Sequence, residues 1–164
     1  TGATGATGSV GPTGATGPEG PAGPAGGLES FVYRYSTNPR LTVLGGANFA
    51  FDSGNVPAVP NDILLPNTTD TVLTEAGYYE VSFIAYVVGA LASVSINLNS
   101  VAVPGGTAGS LAASNEVEIS AIVEVLEGSL PATITISNNS FATIGFPVLA
   151  PGSIVTSLRV IKLS

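Results

Sequence analysis

The sequence predicts an all-β fold, a two-sheet sandwich or jelly roll, and three observations predict it. From Leu28 onward, short segments of strand period recur between clusters of Gly, Pro and Asn. No stretch carries the 3.6-residue apolar stripe of a core-facing helix, and the candidates are β-branched and punctuated by helix breakers. Ahead of them, nine glycines from Gly2 to Gly26 fall on every third residue. That spacing is required where three chains wind together and no side chain fits at the axis. The chain therefore divides into a Gly-X-Y stalk segment, 1–27, and a globular domain, 28–164. The stalk further predicts that the domain is a homotrimer.

Composition supports burial between subunits. The chain is 45% hydrophobic and only 9% charged, against roughly 25% charged in ordinary soluble domains. Net charge is −7, with Arg34, Arg40, Arg159 and Lys162 the only basic residues. Nucleic acid and anionic lipid are excluded as partners, because both need clustered Lys and Arg. Cys, His, Met and Trp are absent, which removes disulfide, zinc and haem chemistry. The missing initiator Met marks a fragment or processed chain, with any leader outside it. The longest apolar run, Phe83–Ala92, is half of the roughly 20 residues of a spanning helix. No membrane insertion is expected.

Taken in order, the stalk comes first. Its triplets read GAT, GAT, GSV, GPT, GAT, GPE, GPA, GPA. Pro12, Pro18, Pro21 and Pro24 all sit at X, and Thr4, Thr7, Thr13 and Thr16 occupy Y. Side chains at X and Y point outward, so these threonines are candidate O-glycan acceptors. The pattern is bacterial in style, with no reliance on hydroxyproline at Y. The bland reading is that Thr merely hydrates the arm.

Ser30–Ser36 is the first strand expected in the domain, followed by short apolar pieces at Leu41–Leu44 and Asn48–Phe51. Thr71–Thr74 is a short strand and Tyr78–Val88 the longest. Ser93–Val101 follows, then a Pro104–Gly109 loop, Val117–Leu126, Ala132–Ser137 and Ile154–Leu163.

The faces of these strands differ. Along Tyr78–Val88, Tyr79, Val81, Phe83, Ala85 and Val87 form an apolar core face. The opposite face begins polar, with Glu80 and Ser82, and becomes Ile84, Tyr86 and Val88. A solvated face would not end that way. Ile154–Leu163 also has apolar residues on both faces: Ile154, Leu158 and Val160 on one, Val155, Ile161 and Leu163 on the other. By contrast, Ser93–Asn99 alternates, with Val94, Ile96 and Leu98 inward and Ser93, Ser95, Asn97 and Asn99 toward solvent. Ala132–Ser137 places Ile134 and Ile136 inward. One sheet is thus expected to be covered on both faces and packed around a three-fold axis, with Ile84, Tyr86 and Val88 at the trimer interface.

The element Gly77-Tyr78-Tyr79-Glu80-Val81 resembles the Gly-x-Tyr opening of a central strand in C1q/TNF-like jelly rolls. Three runs are similar to the C-terminal domain of BclA-type collagen-like glycoproteins, which form hair-like filaments on the exosporium of bacterial spores. They are TEAGYYEVSFIA (Thr74–Ala85), SINLNSVAVPG (Ser95–Gly105) and LRVIKLS (Leu158–Ser164). This resemblance covers stalk and head. It implies trimeric jelly rolls at filament tips, a stalk glycosylated on Thr, and a structural, non-enzymatic role on the outermost spore layer. The chain departs from that family in its short stalk and in carrying no N-terminal anchoring leader. The alternative is an adhesin or recognition module whose head binds a host protein or glycan. Partners are then a second and third copy, together with other spore-surface proteins or host molecules.

Catalytic chemistry finds little purchase. A serine nucleophile needs a base, and without His only Lys162 or a carboxylate is left; Lys162 reads as a solvated cation. Glu116, Glu118 and Glu124 share one strand face and could pair for glycoside chemistry, but the preferred reading is an exposed or interface-edge stripe meeting Arg159, and no enzyme is expected. No cofactor is expected. Calcium is the one cation the loops could coordinate, through Asp52-Ser53-Gly54-Asn55 and Asn61-Asp62, yet these are ordinary turn residues. A cupin-like metalloenzyme would need His ligands. Tyr33, Tyr35, Tyr78 and Tyr86 form either a sugar-stacking platform or, as preferred, rings buried in the core or an interface. The sequons at Asn67 and Asn138 are weak.

Overall fold

The computed structural model describes residues 1–9, 11, 30–38, 42–56, 62–88, 92–110 and 114–163. The boundary at 27/28, most of the triplets, Thr13, Thr16, Arg40 and Asn61 lie outside them. Thr4 and Thr7 fall in an exposed segment without strand or helix.

Among the described residues, twelve strands fold into two sheets. They are β1 (Ser30–Ser36), β2 (Thr42–Val43), β3 (Ser53–Val56), β4 (Ile63–Leu64), β5 (Thr71–Leu73) and β6 (Gly77–Val88), then β7 (Ala92–Leu98), β8 (Val101–Ser110), β9 (Ser114–Val125), β10 (Ala132–Asn138), β11 (Ile144–Gly145) and β12 (Thr156–Lys162). The larger sheet runs β2-β11-β6-β12-β1-β3, with β9 also on β6; the smaller runs β4-β5-β10-β7-β8. Among the described residues these strands pair antiparallel throughout. Among the described residues the only helical element is a 3-10 turn at Glu127–Ser129.

The core lies between the sheets, where alternation buries one side of each strand. On β6 that side is Tyr79, Val81, Phe83, Ala85 and Val87, as expected from sequence. Ile134 and Ile136 of β10 and Val94 and Ile96 of β7 face them from the smaller sheet. Full burial of such a side chain contributes about 1.5–3 kcal/mol. The chain from β2 to β3 crosses between the sheets. Val43 pairs with Ile144 in the larger one, while Phe49 N–H donates to the Ile136 carbonyl in the smaller one (2.8 Å). It carries Phe49 and Phe51 onto Phe83, with ring centroids 5.0 and 6.2 Å away and edge-on contacts.

Four local expectations are corrected. Ser93–Val101 is not one strand: β7 ends at Leu98, and Asn99 and Ser100 turn the chain with φ of 49° and 68°. Pro104–Gly109 is not a loop but part of β8, the edge of its sheet. An edge tolerates Pro104 because its missing N–H need not face a neighbour. A register shift opposite Ser95–Asn97, with Gly105 at φ 75°, absorbs the irregularity as a bulge. Ser95 and Asn97 are buried, not solvated. Lys162 is nearly buried rather than a solvated cation; its Nζ lies 2.7 Å from Glu75 Oε2.

β1 also reverses the naive pattern. Phe31, Tyr33 and Tyr35 face outward, while Val32, Arg34 and Ser36 face in. Arg34 is accommodated because its guanidinium donates to the carbonyls of Asp70 (2.8 Å) and Asn67 and to Thr71 Oγ1 (3.2 Å), and lies over the Phe51 ring. Burial pushes its pKa down, while Asp70 draws it up.

Candidate functional site: the outward face of the larger sheet

Register places the outward-facing side chains of four strands in rows. Phe31, Ile161, Glu80 and Ile122 stand side by side; next come Tyr33, Arg159, Ser82 and Ser120; then Tyr35, Ser157, Ile84 and Glu118. Beyond them Tyr86 faces Glu116, and at the other end Tyr78 faces Glu124. The face is therefore mixed: aromatic and aliphatic side chains are interrupted by Glu80, Ser82, Arg159, Ser120 and Ser157, with further carboxylates along β9.

The three residues expected at a subunit contact lie here. Ile84 is half-buried, and Tyr86 and Val88 are 41% and 42% exposed. All four candidate tyrosines are on this face as well. The alternative that they fill the core is overturned, since the position that buries is Tyr79. Tyr33 and Tyr35 sit 5.8 Å apart between ring centroids. Phe31 and Ile122 belong to the same surface and were not singled out from sequence, whereas Ile161 was read there on an apolar second face of its strand. Their signal was alternation out of phase with the core positions of their own strands.

Electrostatics on this face are lopsided. Among the described residues of β1, β6, β9 and β12 it carries Glu80, Glu116, Glu118 and Glu124 against Arg159. Arg159 does not meet the β9 stripe; its Nη2 lies 3.0 Å from Glu80 Oε1. Tyr78 donates its hydroxyl to Glu124 Oε1 (3.1 Å). That bond, with the charge of Glu124, raises the Tyr78 pKa.

The remaining candidates are not brought together. Asp62 is buried and accepts from Ser30 Oγ, whereas Asp52 is exposed. Among the described residues no three His, Cys, Asp or Glu side chains are grouped to hold a metal ion. Asn138 is buried with its amide engaged by Val43 and Ala142 carbonyls, so this sequon cannot carry a glycan in the folded chain. Asn67 is exposed.

No family model and no curated protein sequence matches this chain. Solved structures do. The chain is similar to the PRD1 vertex protein P5, at 14% identity over 85% of this chain and 100% of that one, with a TM-score of 0.51. It is similar to Eiger TNF from S. frugiperda at 12% identity, over 84% and 93%, with a TM-score of 0.58. Murine APRIL matches at 12% identity, over 82% and 98%, with a TM-score of 0.54. At these identities the likeness is one of fold, and that fold is the C1q/TNF-like jelly roll.

Proposed function

We propose that this chain is the trimerising head of a collagen-like surface filament, with a structural role on the outermost layer of a bacterial spore. The observation that carries the assembly reading is the outward face of the larger sheet. It presents Tyr33, Tyr35, Ile84, Tyr86, Val88 and Ile122 in one array on a jelly-roll scaffold, and a monomer gains nothing by leaving such a surface wet. The Gly-X-Y repeat independently calls for three chains.

A three-fold ring also needs two different surfaces per chain, because each contact is head to tail. A second surface adjoins the first on the sandwich rim, where Leu98, Val101, Val103, Pro104 and Glu124 line a mixed recess of about 390 Å³ that meets the outward face at Ile122. Trimerisation would raise local stalk concentration and set its register. The spore-surface placement and the threonine glycans rest on the sequence resemblance and the triplet style.

Light scattering after size exclusion tests assembly. The expected mass of the full chain is three times 16.2 kDa, and residues 28–164 alone should keep three copies. A monomeric head would overturn the reading and hand assembly to the stalk.

A further inference from the structure

β1 begins at Ser30, beside Lys162 and, across β12, Tyr79. The opposite end of the sandwich, at Val88, is roughly 30 Å away along β6. Two stretches without a charged residue, 42–51 and 137–158, run to that far end. From the second, Phe141 stands fully exposed.

The loop that holds Phe141 is tightly fixed. Asn138 donates through Nδ2 to the carbonyls of Val43 and Ala142, both at 2.9 Å, and its Oδ1 accepts the Ser140 N–H at 2.9 Å. The neighbouring loop packs against it backbone to backbone. A Cβ at Gly45 would lie 2.6 Å from the Ser140 carbonyl oxygen and 3.1 Å from the Phe141 backbone. A bulky ring exposed on a fixed loop contributes nothing to the core, and such positions on rigid scaffolds are where binding residues concentrate.

A trough without charge adjoins the ring. One part, of about 440 Å³, is lined by Gly46, Asn139 and Phe141. Another, of about 320 Å³, is lined by Asn48, Asn97, Thr135 and Ser137, and shares Gly46 and Asn139 with the first. Its amides are oriented from within. Buried Ser95 donates to Asn97 Oδ1 (3.0 Å), Asn97 Nδ2 donates to Ser137 Oγ (2.6 Å), and Ser137 Oγ donates to Asn48 Oδ1 (2.6 Å). This chain occupies the Asn48 acceptor and leaves its Nδ2 without a partner among the described residues.

We propose that this trough binds a neutral saccharide. A sugar ring offers a C–H face that packs on an aromatic ring, and a hydroxyl edge that needs fixed donors and acceptors. Phe141 supplies the first; the amides of Asn48 and Asn139 supply the second. Fixing Asn48 through a chain of donors that starts at buried Ser95 lowers the ordering cost of binding. The absence of any cation in the lining disfavours sulfated, sialylated or phosphorylated ligands, whose charge would be desolvated without compensation. The site is complete within one chain and does not rest on the assembly reading; three copies would add avidity.

The test is binding of the full chain to immobilised neutral oligosaccharides ending in hexose, deoxyhexose or N-acetylhexosamine, with sialylated and sulfated versions alongside. At least one neutral probe is expected to bind. Phe141→Ala and Asn48→Ala should each lower that affinity by about tenfold, while Glu127→Ala leaves it unchanged. Phe141→Ala should also keep the parent's solution mass and melting temperature. Silence on every neutral probe, binding confined to charged probes, or binding indifferent to Phe141→Ala would overturn the site. So would a fall in mass of Phe141→Ala, which would make the ring a subunit contact.

Discussion

The two sheets turn very different faces outward. The larger sheet shows aromatic and aliphatic side chains set among serines, Arg159 and several carboxylates. On the β7–β10 part of the smaller sheet, Ser93, Ser95, Asn97, Thr133, Thr135 and Ser137 stand together without a charge. Both sheets share one core and comparable strand lengths, so stability of the monomer does not account for the difference. An apolar face gains by meeting another apolar surface. A face of hydroxyls and amides keeps its groups paired with each other or with water, and gains from a partner only if that partner is polar too.

The comparison breaks most readily by placing charge on each face. Ile84→Asp, Tyr86→Asp and Val88→Asp are expected to abolish the three-chain mass, since burying a carboxylate in an apolar contact costs several kcal/mol. Thr135→Asp, on the smaller sheet, should leave the mass unchanged. Equal effects would mean the wrong sheet has been assigned to the axis. Asn97→Asp is a poor control, because Asn97 is buried and donates to Ser137.

A smaller effect separates the fixed far end from its solvated neighbours. Asn138→Ala removes the amide that ties Val43, Ala142 and Ser140 together and leaves buried groups unpaired. Chemical denaturation should show a loss of about 1–3 kcal/mol. Asn139→Ala, exposed next door, should stay within about 0.5 kcal/mol.

The smallest effect concerns the carboxylate edge. In a spectroscopic titration Tyr78 should hold its proton to higher pH than an ordinary tyrosine, because Glu124 accepts its hydrogen bond and repels the phenolate. Glu124→Gln should bring it back down. The sign follows from a raised folded-state value: any stabilisation from this pair is present at neutral pH and fades as pH rises through it. A Tyr78 titration unchanged in Glu124→Gln would show that the pair is not formed in solution.

Much of this was legible from residue order. The inner face of β6 was readable because five apolar residues alternate without a break, and the outward Ile84, Tyr86 and Val88 stood out against Glu80 and Ser82. The β7–β8 hairpin was hidden because its turn is Asn99-Ser100 rather than the Asn-Gly that marks such turns. Pro104, Gly105 and Gly106 then disguised an edge strand as a loop. In β1 hydrophobicity pointed the wrong way. Three aromatics went outward and Arg34 inward, because carbonyls 33 to 36 residues later were waiting to accept its protons. The far-end trough escaped notice because its parts come from residues 45–48, 95–100 and 135–141, which only the fold assembles.

If residues 1–27 act as the proposed stalk, their entry into β1 sets how the domain bears load. β1 pairs with β12 along its whole length, from Ser30 opposite Lys162 to Ser36 opposite Thr156, and β12 in turn pairs with β6. A pull on the stalk while the far end is held runs parallel to these strands. Their hydrogen bonds are then strained together in shear, and none can be unzipped ahead of the others. On the proposed reading, then, the domain resists a pull from the β1 side, and a peel applied across the β8 edge would be the easier way to tear it.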